Sequence, residues 1–91
     1  MASDYTALDR VLGQAYTQAS EGKGKARHAI DNIPFHEQPM IQINKYHPGH
    51  CLGQAHKKLI ECERLPVDKK IQELLGAIVY IAGEIITLEG Q

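Results

Sequence analysis

The sequence predicts an all-α fold: a small helical domain with an N-terminal helix and two longer antiparallel helices, assembled as a homo-oligomer. Three observations carry this expectation. Apolar residues recur at three- and four-residue steps through most of the chain. Glycine and proline clusters cut it into a few helical lengths. The last helical stretch, from Val67, begins as an apolar stripe and turns apolar on nearly every side after Leu74, which a chain of this size cannot cover by itself. With 91 residues, one domain over 1–91 forms one core and buries only roughly 60–65% of its unfolded surface, so a monomer would be marginal.

The elements follow from local chemistry. Ser3 or Asp4 caps a helix over 4–20, whose Tyr5, Leu8, Leu12, Ala15 or Tyr16, and Ala19 share one stripe. Gly22 and Gly24 stop it and begin a basic loop at 21–37, where Phe35, the single phenylalanine, anchors the chain to the body. Pro39 suits the first turn of a short helix over 38–45, ended by His47-Pro48-Gly49. A third helix over 49–64 places Leu52, Ala55, Leu59 and Cys62 on its apolar stripe, and Pro66 breaks the chain after it. In the last helix, Gly76 and Gly83 lie seven residues apart, each costing ~1 kcal/mol of helix propensity relative to Ala. Their small size leaves room for another helix, from the same chain or from another subunit. No internal repeat, heptad array or low-complexity tract is evident.

Composition excludes several function classes. Ten basic and eleven acidic side chains give a formal charge of −1, without the basic excess of a general DNA or RNA binder. The N-terminus has no basic segment leading into an apolar one, and Asp4 and Asp9 are foreign to transit peptides, so a cytoplasmic location is expected. The apolar stretch from Leu74 to Gly83 is about half of the ~20 residues that a membrane span needs, so no membrane association is expected. Cys51 and Cys62 read as reduced thiols; on one helix they are roughly 16 Å apart and cannot bond to each other.

Charge is unevenly placed. Residues 1–22 carry −2, residues 23–58 carry +4 and residues 59–91 carry −3, and all five histidines fall in the middle block. That block is where an anionic ligand would bind, unless it is only a solvated basic loop. Lys23, Lys25, Arg27 and His28 follow a helix end among glycines and contain no acid between them, a composition suited to phosphate. The Walker spacing is missing. Gln54, Lys57 and Lys58 offer an opposite wall for an anion pocket, or else the wet face of their helix. Tyr5 and Tyr16 are candidates to stack on a base, or else members of the first helix's core stripe. Tyr80 reads as packing.

Catalysis and metal binding have less to stand on. His47-x-x-His50-Cys51 clusters potential ligands without a second matched pair, so no metal site is expected. Glu61 and Glu63 lie on different faces of their helix, and no nucleophile has an evident base, so no catalytic residues, no cofactor and no enzymatic activity are expected.

Four segments together resemble a known family: Gly22-Lys23-Gly24-x-x-Arg27-His28, Pro34-Phe35-x-x-Gln38-Pro39, Gly53-Gln54-Ala55-x-Lys57-Lys58, and Glu73-Leu74-Leu75-Gly76-Ala77-Ile78. The series is similar to the small phage proteins of the anti-CBASS type two family, sponges for cyclic oligonucleotides, and the resemblance spans about residues 5–89. It implies a homohexamer that sequesters cyclic dinucleotides between paired protomers, with a separate pocket for cyclic trinucleotides, and so starves host CBASS effectors of their signal. It also implies an aromatic residue from the N-terminal helix, Tyr5 or Tyr16, and a following lysine, Lys23 or Lys25, as pocket residues. Two rivals stand beside it. One is a metal-dependent nucleotide diphosphohydrolase or accessory module using Glu61, Glu73 and Glu84; the other is a structural oligomer whose basic loop binds a protein partner.

Overall fold

The last helix organises the molecule. In the computed structural model, which describes residues 4–21 and 33–90, every other helix packs against it. Among the described residues there are four α-helices: α1 over Thr6–Glu21, α2 over Pro39–Tyr46, α3 over His50–Glu61 and α4 over Val67–Glu89. Single 3-10 turns at Phe35–Glu37 and Cys62–Arg64 complete the elements, and no strand occurs among the described residues. The domain is all-α as expected. Its lengths differ from expectation, since α1 has 16 residues and α3 has 12.

Each boundary has a local cause. Asp4 Oδ1 accepts the Thr6 N–H at 2.9 Å, supplying an acceptor to the first turn of α1. Hydrogen bonds from Thr6, side chain first and backbone second, hold the Asp4 carboxyl below its ordinary range. Pro39 occupies the start of α2, where its missing N–H costs nothing. Gly49 adopts φ +94°, a left-handed conformation that lets the chain turn from α2 into α3. Helical hydrogen bonding in α3 gives way to the 3-10 turn at Cys62, and Pro66 sets the entry to α4.

Met40, Ile41, Cys51, Ala55, Ala77 and Tyr80 form the core, with Phe35 and Val79 packed against it. Phe35 therefore anchors its turn as expected. On α3 the apolar stripe is rotated from the expected one. Cys51, Ala55 and Cys62 are buried while Leu52 and Leu59 face outward, because α3 meets α4 through small side chains. A Cβ at Gly76 would lie 3.1 Å from Lys58 Cε, and one at Gly83 only 2.7 Å from Met40 Cε and 3.2 Å from Cys51 Sγ. The room left by both glycines is filled from within the chain.

A polar hub crosses this interior. Asn44 donates to Glu84 Oε1 at 2.9 Å and to Thr87 Oγ1 at 3.0 Å, while its own Oδ1 accepts the Cys51 N–H at 2.9 Å. Thr87 in turn donates to the Gly83 carbonyl at 2.9 Å. One buried side chain thus ties α2 to the start of α3 and the end of α4. By contrast α1 is lightly held: of its residues only Ala15 is buried, and Gln18 Nε2 donates to the Gln72 carbonyl at 2.9 Å.

Candidate ligand-binding surface

Tyr5, immediately before α1, and Leu8, Leu12 and Tyr16 on it share one side, and that side faces solvent. Tyr5 is 69% exposed and Tyr16 is 74% exposed, so neither belongs to the core. The core reading of both tyrosines is corrected: α1 touches α4 through the neighbouring stripe around Ala15 and Gln18. Eleven residues apart on a helix, the two rings are separated by roughly 16 Å along the axis. Either ring can offer its face to a flat, uncharged surface such as a base. Lys23, Lys25, Arg27 and His28 lie outside the described residues.

The α3 candidates divide. Lys57 is solvated and Gln54 is half-buried. Lys58 is neither a free anion wall nor a wet-face lysine, because its Nζ lies 3.6 Å from Glu73 Oε2 in a half-buried pair. Its stem fills the space over Gly76, and its ammonium stands 6.0 Å from the Tyr80 ring centroid. Lys58 therefore braces α3 on α4. An anion would have to compete with Glu73 for it.

The cluster around His47, His50 and Cys51 is also resolved. His47 is exposed, whereas His50 meets Tyr80 edge to face at 6.4 Å. Cys51 is fully buried, and its thiol points to the Met40 carbonyl at 3.9 Å. Burial first, and the nearby Glu84 charge second, push this thiol up to about 11. Both cysteines are free thiols. Among the described residues no group of three or more His, Cys, Asp or Glu side chains converges to hold a metal ion. Of the acids in the rival reading, Glu73 faces Lys58 and Glu84 accepts from Asn44.

Two features escaped the sequence reading. Tyr46 is 80% exposed at the end of α2, between Lys45 and His47, a third aromatic placed among bases. More extensive is the outward side of α4. Val67, Ile71, Leu74, Ile78, Ile81, Ile85 and Leu88 follow one another in unbroken four- and three-residue steps, which corrects the expectation that no heptad array exists. The signal was present in the spacing and was masked by the additional apolar residues that face the core. By length and composition α4 is also apolar enough to cross a membrane, and 28% of its most apolar window is buried.

No family model, no curated protein and no solved structure gives a match to this chain.

Proposed function

We propose that the protein is a noncatalytic sponge that binds cyclic di- and trinucleotides in the host cytoplasm and withholds them from CBASS effectors. The observation that carries this reading is the exposed ring of Tyr16, five residues before α1 ends at Glu21. Gly22-Lys23-Gly24-Lys25 follows directly in the sequence. A base stacked on such a ring gains ~1–3 kcal/mol, and the lysines and Arg27 supply charge for the phosphates. Sequestration needs affinity without turnover, so it asks for no catalytic carboxylates. The reading includes a homohexamer, and a subunit whose two principal helices run antiparallel. Lys58 beside Gly76 and Cys51 beside Gly83 support that pairing of α3 with α4.

Calorimetric titration with 3′,3′-cyclic GMP-AMP and with a cyclic trinucleotide tests the reading, followed by chromatography of the ligand released on heating. Tight binding with intact ligand recovered is the expected outcome. Tyr16→Ala or Lys25→Ala should weaken binding ~10–100-fold while the assembly survives. Unchanged affinity in both, and in their Tyr5 and Lys23 counterparts, would reject this pocket. Failure of both nucleotides to bind leaves the partner-binding oligomer ahead, a reading favoured by the exposed apolar side of α4. Magnesium-dependent release of pyrophosphate from a nucleoside triphosphate would instead support the diphosphohydrolase.

A further inference from the structure

The outward series on α4 has the period of a coiled-coil seam. In heptad terms Ile71, Ile78 and Ile85 take the a positions, and Val67, Leu74, Ile81 and Leu88 take the d positions. Ile78 is half-buried, and the other six range from 37% exposed at Leu74 to 74% at Val67. The residues that α4 turns inward, Gly76, Ala77, Tyr80, Gly83 and Thr87, occupy another side of the helix. At ~100° per residue the two sets centre about 140° apart. Among the described residues, packing accounts for the inward set and leaves the seam uncovered.

We propose that this seam packs against the same seam of a second copy as an antiparallel, twofold-related helix pair. Charge sets the orientation. Lys70 and Glu84 flank the series at g positions, one near each end. An antiparallel alignment that sets Ile71 against the partner's Ile81 brings Lys70 beside the partner's Glu84, twice by symmetry. A parallel alignment would bring Glu84 beside the partner's Glu89 and leave Lys70 facing a leucine. Area agrees with a second copy as occupant. The exposed fractions amount to roughly 500 Å² of apolar surface per chain, about 1,000 Å² across the pair, and the flanking residues bring it toward the ~1,200 Å² at which stable specific interfaces begin. A bilayer would satisfy the apolar residues but leave Lys70 and Glu84 without counter-charges. The proposal deepens the homohexamer of the proposed function by naming one of its contact surfaces, and self-association without nucleotide binding would sink the pocket while leaving the seam.

Sedimentation equilibrium of the full chain without ligand tests it, with circular dichroism as the check on folding. Ile71→Glu and Ile81→Glu change exposed positions and should preserve helicity while weakening self-association at least ~30-fold. Combining Ile71→Lys with Ile81→Glu in one chain should restore part of the loss, because antiparallel pairing sets the introduced lysine against the introduced glutamate. Parallel pairing would set like against like. A wild-type chain that is monomeric at ~100 µM overturns the proposal. So do single variants that associate like wild type, or a combined variant weaker than both singles. Flotation of monomeric wild type with phosphatidylcholine–phosphatidylglycerol vesicles would reassign the face to a membrane.

Discussion

Truncating Asn44 to Ala would strip the Cys51 N–H of its acceptor and leave the Thr87 hydroxyl without its Asn44 donor. Deleting one member of a buried network costs more than the bonds are worth in exchange with water, so about 2–4 kcal/mol of stability should be lost. A urea unfolding midpoint that does not move would contradict this. Cys51 carries a second expectation. Its folded thiol titrates at about 11 against an ordinary 9.0, so the folded state favours the protonated form. The associated stability is complete below pH ~9 and is lost as pH climbs toward 11, by ~2–3 kcal/mol in all. Chemical denaturation from pH 8 to 11 should show this decline, and Cys51→Ala should flatten that part of it. Neither role was legible beforehand. Asn44 sits between Ile43 and Lys45 like a surface residue, and only residues forty positions downstream make it an interior one.

The helix starts that follow Gln38, Gly49 and Pro66, in contrast, could be read closely, because Pro39, Gly49 and Pro66 act on their own backbone and need no tertiary partner, whereas the end of α3 at Glu61 falls short of the expected 64. Choice of face was less legible. Hydrophobic size pointed to Leu52 and Leu59, whereas close approach of α3 to α4 selects Cys51 and Ala55. The glycines separate the same two effects. Gly13 has nothing within 4 Å of where a Cβ would stand, so Gly13→Ala should stabilise by ~0.5–1 kcal/mol. At Gly83 the same methyl would press on Met40, Cys51 and Ile41. There the gain in helix propensity is outweighed, and Gly83→Ala should destabilise by ~1 kcal/mol. Thermal melts of the two variants should shift in opposite directions.

For the whole molecule, the apolar surface left by one chain is large: beside the seam, Leu52, Leu59 and Ile60 on α3 and Leu8 and Leu12 on α1 are exposed. Monomeric soluble proteins rarely leave contiguous apolar patches of this size bare. Stability should therefore depend on protein concentration, and the melting temperature should rise by several degrees between ~2 and ~200 µM. A concentration-independent Tm would mean that the single chain is self-sufficient. The excess was visible in the sequence as a helix apolar all round, since composition alone outran what 91 residues can bury. Its division into a core side and a seam was not, because the half-buried Leu75, Val79, Ala82 and Ile86 lie between the two sides and blur their boundary. The exposure of Tyr5 and Tyr16 was equally hidden, as their spacing fits a buried stripe and a stacking surface alike.

Asn44 also gives the molecule an internal clock. Amide protons in the first turn of a helix have no helical acceptor and ordinarily trade with deuterium as fast as the end frays. The Cys51 amide is in that turn, yet its acceptor is a buried side chain held from the other end by α4. It meets solvent when α3 parts from α2, and α4 holds the Asn44 side chain against that motion. Its deuterium uptake should therefore be among the slowest in α3, and the rate should report the parting of α3 from α2 from a position where exchange normally reports nothing but the end of a helix.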